Sequence, residues 1–288
     1  MSAVATTAPP PAQPLRQPRF ERTRLLLRQP GFLVGFGILA FWVFCATIGQ
    51  HYVDPLSDDI LNTLTPPGVE HWFGTDQLGR DLFARVIAGS RDILIVAPLA
   101  TLLGIVCGTA LGLVMGFFPG LVDDIISRVV EAVLALPLLI LALLVLSALG
   151  ASNLTVIVAI GLSFTPLIAR TVRSAVQSER NLDYVAAAQL RGEGALHIMF
   201  VEILPNVLPP IVVELTVRLG YAIFTVATLS FLGVGLQPPS SDWGLAISEN
   251  YALIGGGYWW TVLFDAIAIA SLVIGVNLIA DGIEHVVE

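Results

Sequence analysis

Few residues in this sequence could carry chemistry, and their placement argues against an enzyme. The four histidines, His51, His71, His197 and His285, fall in separate loops or chain ends, so no metal-ligand set is expected. No glycine-rich phosphate loop with its lysine can exist, because the chain contains no lysine at all, and nucleotide must be handled elsewhere. No cofactor is therefore expected on this chain. Ionisable residues inside apolar runs are costly and point to function unless something neutralises them. Arg128 and Glu131 stand three apart, and Glu214 and Arg218 four apart, so each pair can satisfy itself along one helix face. Asp265 shows no such neighbour in sequence. It is the first candidate for a translocation path, with Glu214 and Arg218 behind it.

The elements that hold these residues are hydrophobic spans. Of 288 residues, 56% are hydrophobic and 12% charged, with a mean hydropathy of +0.84. Soluble domains run near 45–50% apolar and about 25% charged. A membrane protein follows, and the net charge of −8 argues against nucleic acid as a partner. A span needs about twenty apolar residues. Six candidates satisfy this: Gly31–Ile48, Ile93–Phe118, Val129–Leu149, Leu154–Val172, Ile203–Leu229 and Trp259–Ala280. Cys45 and Cys107 lie within such runs and read as packing residues.

Arginine placement sets the orientation. Arg16, Arg19, Arg22, Arg24 and Arg28 fall in an N-terminal tail. With that tail inside, Arg128, Arg170, Arg173, Arg180 and Arg191 are inside too, and only Arg80, Arg85 and Arg91 are outside. Both termini are then cytoplasmic. The Pro-rich stretch 1–30 reads as a disordered cytoplasmic tail, followed by the first span and an external segment to residue 92, then a five-helix core over 93–284.

Two outer segments are elaborate. From Gln77 onward, Leu78, Leu82, Phe83, Val86 and Ile87 describe an external amphipathic helix. On its other face Asp76 could pair with Arg80, and Asp81 with Arg85. The second segment, 230–258, carries Gly233, Gly235 and Pro238-Pro239, which predict an irregular re-entrant or capping structure. Tyr258, Trp259 and Trp260 follow where an aromatic belt would mark the outer interface. Pro98, Pro137, Pro166, Pro205 and Pro209-Pro210 mark places where spans can bend.

Between the fourth and fifth spans lies a polar stretch from Arg173 to Pro205. It holds a short helical block, DYVAAAQL, closed by Gly192 where a positive φ is wanted. Ala186, Ala187 and Ala188 leave a smooth helical surface that can enter a partner's groove.

This stretch resembles the cytoplasmic loop of binding-protein-dependent ABC importer permeases, whose pattern runs EAA, three residues, Gly, a spacer and I-L-P. Here the matching residues are Ala186-Ala187-Ala188, Gly192 and Ile203-Leu204-Pro205, with Ala186 in place of the family's Glu. FGTDQLGRDLFARVIAGSR (73–91) and LSFLGVGLQPPSSDWG (229–244) resemble the C-type permeases of dipeptide, oligopeptide, nickel and glutathione importers. PLIARTVR (166–173) and SRVVEAVLALP (127–137) fit the same group.

The resemblance implies an all-α polytopic fold of the type I ABC importer class with six transmembrane helices. It implies a homologous second permease, two ABC ATPase subunits that hold ATP and Mg, and an extracytoplasmic solute-binding protein. The coupling helix would be about 181–196, with Asp183, Tyr184, Ala187, Ala188, Gly192 and Leu196 as its contacts. Asp76, Arg80, Asp81 and Trp243 would lie on the binding-protein side. Short peptides are the expected substrate, with nickel or glutathione as alternatives. An ion-coupled secondary carrier is the alternative of a different class. Such carriers show inverted repeats, and none is visible here.

Overall fold

The computed structural model describes residues 26, 28–55 and 59–287. The tail expected over 1–30 falls almost wholly outside them. Among the described residues the fold is all-helical, and an isolated bridge between Thr75 and Asp81 is the sole β pairing.

Helix α1 (Pro30–Thr47) opens on a proline, whose missing N–H costs nothing in a first turn. Helix α2 (Leu82–Phe117) follows, with the Asp81 side chain accepting from Ala84 N as its cap. At 36 residues, α2 extends about 54 Å at 1.5 Å per residue, well beyond a 30 Å hydrocarbon layer. The separate amphipathic helix expected from Gln77 is therefore corrected. Residues 77–81 form a turn, and everything after Leu82 belongs to one helix that enters the bundle.

The third expected span is also corrected. Helices α3 (Leu121–Leu134) and α4 (Leu138–Leu149) meet at a 90° bend. Pro137 supplies no N–H and disfavours α geometry in the residue before it, which is why the break falls there. Five helices are long and apolar enough to cross a membrane, and the bent pair makes a sixth if counted as one span.

Helix α5 (Asn153–Arg180), capped by Ser152, runs eight residues past the expected end of its span, so the polar stretch begins inside a helix. Helix α6 (Asp183–Leu190) is short. A turn at Ala195–His197 and a π-helical stretch at Ile198–Ile203 then lead into α7 (Leu204–Phe231). Helix α8 (Trp243–Asn250) lies in the second outer segment, and α9 (Trp260–Val287) closes the chain.

The core is the α2–α5 pair. Four glycines of α2, Gly104, Gly108, Gly112 and Gly116, recur every fourth residue and face Phe164, Ile168, Val172 and Val176 of α5. A Cβ at Gly108, Gly112 or Gly116 would sit 2.6 Å from the Cβ of Ile168, Val172 or Val176 respectively. In lipid, where no hydrophobic force drives helices together, close approach of this kind supplies the attraction. A second tight crossing joins α1 to α9, where a Cβ on Gly35 would meet the Gly275 carbonyl at 2.5 Å and Trp42 Nε1 donates to Ser271 Oγ at 3.0 Å.

Candidate coupling site and the opposite charged end

Helix α6 is held on the bundle by one face. Val185 and Ala188, three apart, are fully buried in the main apolar core, and α6 packs on the π-helical stretch. Tyr184 is half-buried, and its hydroxyl donates to Glu179 Oε2 at 2.8 Å, tying α6 back to α5. Burial, and then that bond, push the Tyr184 hydroxyl up to about 12, so it stays a neutral donor. The C-terminus closes as a Schellman motif: Gly192 N donates to Gln189 O at 3.0 Å and Glu193 N to Ala188 O at 3.2 Å. Gly192 takes φ +77°, as the sequence predicts.

The opposite face of α6 is open. Asp183, Ala186, Ala187 and Gly192 are exposed, and Leu196 is 68% exposed. Ala188, expected on the presented surface, is turned inward instead, because three-residue spacing places it under Val185. Leu190, missed in the sequence reading, is the most exposed large apolar side chain here at 89%. Its position in an apolar helix read equally well as buried.

The pairs within the spans behave differently from one another. Glu214 and Arg218 do pair, Arg218 Nε donating to Glu214 Oε2 at 2.8 Å. Thr171 Oγ1 adds a bond to Glu214 Oε1 at 2.6 Å, so the pair also joins α7 to α5. Arg128 and Glu131 are both exposed and form no ion pair with each other among the described residues. At that end Asp123 of α3 is bound by Arg173 of α5 instead, Nε to Oδ1 and Nη2 to Oδ2, each at 2.6 Å. This two-pronged contact spans fifty residues and has no sequence signal.

At the far end of the bundle, the outer residues of the sequence reading come together. Asp76 is fully buried; its Oδ1 accepts from Leu78 N and Arg80 N, and its Oδ2 from Arg80 Nε at 2.7 Å. The expected Asp76–Arg80 pair thus forms, but across a turn rather than along a helix. The Asp81–Arg85 pair does not form. Asp81 caps α2 and meets His71 Nδ1 at 2.8 Å. Arg85, 1% exposed, lies 4.0 Å from Asp76 and 3.6 Å from Glu249. Arg80 Nη2 donates to the same Glu249 at 3.1 Å, joining the first outer segment to α8.

Asp265 is buried beside this cluster, with Arg85, Asp242, Asp76 and Glu249 as its charged surroundings. None of these is a neighbour in sequence; they come from α2, α8 and the outer turns. Asp242 caps α8 through Leu245 N at 2.9 Å, and burial pushes its carboxyl up to about 6.

Trp243 has no exposed surface. Its Nε1 donates to Val86 O at 2.9 Å and its ring meets Trp42 edge-on at 4.7 Å. Asp76 and Trp243 therefore shape the outer surface from beneath. Arg80 and Asp81 keep part of their surface exposed. Trp260 is likewise buried, donating to Thr75 O at 3.3 Å, while of the expected belt Tyr258 is partly and Trp259 half exposed.

A helical bundle that crosses a membrane several times, with a small helix presented at one end and a sealed charged assembly at the other, defines a membrane-embedded transport component. Residues 108–288 match the family described as the binding-protein-dependent transport system inner membrane component, and the chain belongs to that family. It is 39% identical over 227 residues to the dipeptide transport system permease protein DppC of Alkalihalophilus pseudofirmus, covering 79% of this chain and 74% of that one. The Bacillus subtilis protein of the same name is 32% identical over 259 residues, covering 89% and 81%. The di/tripeptide transport system permease protein DppC of Pseudomonas aeruginosa is 34% identical over 266 residues, covering 90% and 88%. Among solved structures, the inward-facing MetNI methionine ABC transporter matches with a TM-score of 0.57 and 20% identity, over 71% of this chain and 96% of that one. The fold is thus that of ABC importer permeases, and the chain is a multi-pass inner-membrane permease subunit.

Proposed function

We propose that this chain forms half of the path by which an ATP-driven importer carries short peptides across the inner membrane. A homologous second permease supplies the other half. Two ATPase subunits bind and hydrolyse ATP, one of them engaging α6, and an extracytoplasmic solute-binding protein delivers peptide to the end that carries the Arg80–Glu249 cluster. Both termini are cytoplasmic, on the same side as α6. The observation that carries this reading is α6 itself. It is anchored to the core by Val185 and Ala188, tied to α5 by Tyr184, and open along Asp183, Ala187, Leu190 and Leu196. A push on that face reaches α5 and α7 directly. The peptide assignment is supported by the names carried by the relatives from three organisms.

Movement of α6 would shift the bundle between two arrangements according to which one the ATPases contact more favourably. Substituting Gly192→Pro tests this. Proline holds φ near −65° and lacks the N–H that bonds to Gln189 O, so neither the +77° conformation nor the Schellman closure survives. The reconstituted transporter carrying this variant should insert and assemble normally, hydrolyse ATP, and fail to couple hydrolysis to peptide uptake. Uptake at the wild-type rate would refute α6 as the coupling element. Purification of the tagged chain with its partners provides the companion test. Recovery of a second permease and nucleotide-binding subunits is expected, whereas a chain that stays alone would refute this assembly.

A further inference from the structure

One of the four histidines, His197, joins two carboxylates once the chain is folded. Glu193, His197 and Glu202 bring one ligand atom each within 4.8 Å of one another. Glu193 precedes Gly194, the extended cap of the turn Ala195–His197, and its carboxylate lies over that turn beside His197. His197 and Glu202 are five apart, which in a regular α-helix would put them about 140° apart around the axis. The intervening stretch Ile198–Ile203 is π-helical, and its i to i+5 bonding stacks residues five apart. The π stretch therefore turns Glu202 onto the face that already holds the other two.

The His197–Glu193 separation suits two ligands of one metal better than a hydrogen bond. His197 Nε2 lies 3.4 Å from Glu193 Oε2, and that oxygen is buried with no hydrogen-bond partner. Good N–H···O bonds run about 2.7–3.2 Å. Two ligand atoms on a tetrahedron with bonds of about 2.0–2.1 Å lie roughly 3.4 Å apart. Arg191 is the present counter-ion, with Nε on Glu193 Oε1 at 2.7 Å and Nη2 on Glu202 Oε1 at 3.3 Å. Its side chain is half-exposed and free to swing into water as a dication takes its place. One imidazole and two carboxylates suit a borderline ion such as zinc, with a fourth position left for water.

We propose that Glu193, His197 and Glu202 form a site for a zinc-like divalent ion at the joint between α6 and α7, and that the bound ion stiffens this joint. The effect on transport rests on α6 being the coupling helix, but binding and stiffening do not. The test titrates zinc into the purified full-length chain in detergent by calorimetry, comparing wild type with His197→Gln, Glu202→Gln and the remote His285→Gln. One ion should bind to wild type and to His285→Gln. Each ligand variant should weaken binding by at least about tenfold, and cobalt should give the visible absorption of a four-coordinate site in wild type and His285→Gln but in neither ligand variant. Hydrogen exchange across residues 183–204 should slow when zinc is added. Equal affinity in the ligand variants, or no binding, overturns the site, and unchanged exchange overturns the stiffening. Neither readout involves the ATPases, so a failed coupling reading would leave both intact.

Discussion

Replacing Gly112 by leucine tests the α2–α5 seam most directly. A Cβ at this position would stand 2.6 Å from Val172 Cβ and 2.8 Å from the Ala169 carbonyl oxygen. Carbon atoms pack best at about 3.5–4.0 Å, so the first added atom alone forces the helices apart by roughly 1 Å. Gly104, Gly108 and Gly116 lie on the same ridge, so the separation spreads along the interface. Overpacking of this kind typically costs about 1–3 kcal/mol. Losing glycine from a helix interior returns up to about 1 kcal/mol in propensity. With three further carbons to place in a full interface the cost falls at the upper end, so a net loss of about 2 kcal/mol is expected, or a fall in melting temperature of about 4 °C or more. The assay is thermal unfolding in detergent followed by fluorescence-detected size exclusion. The control is Gly37→Leu on α1, where an added Cβ meets nothing within 4 Å. A melting temperature for Gly112→Leu equal to that of Gly37→Leu would refute the view that this ridge holds the bundle together.

Two further predictions concern charge. Asp242 holds its proton more tightly when folded, because burial pushes its carboxyl from the usual 3.8 to about 6. Stability is therefore lost as pH rises from about 4 to about 6 and stays lost above that. At 1.36 kcal/mol per unit the loss is at most about 3 kcal/mol. Asp242→Asn keeps a good cap without the charge. It should match wild type near pH 4 and melt higher at pH 7.5, and an identical difference at both pH values would count against the burial argument. At the other end, Arg173→Ala leaves the buried Asp123 carboxylate without its two charged hydrogen bonds, costing roughly 1–3 kcal/mol. Faster hydrogen exchange confined to α3 is the expected result, and unchanged exchange there would show that the contact does not hold α3 to α5.

Local composition determined much of this protein. Apolar run length marks the spans, a positive-φ glycine ends α6, and the residues around Ala187 and Gly192 carry the family pattern. These are properties of neighbours in sequence, legible because a hydrocarbon layer and a left-handed backbone impose strict local demands. Tertiary structure decided what depends on distant partners. Whether Ala188 or Leu190 faces outward depends on which side of α6 meets the core, since both are apolar and two residues apart. The division between a helix from Gln77 and a span from Ile93 vanished because the start of α2 is covered by α8 and its flanking turns, so its polar residues needed no water. Arg80 binds Glu249 across 169 residues, and Arg173 binds Asp123 across fifty. Asp265 looked solitary for the same reason. Ion pairs depend on distance in space, and a chain that crosses a membrane repeatedly brings together charges that lie far apart along it.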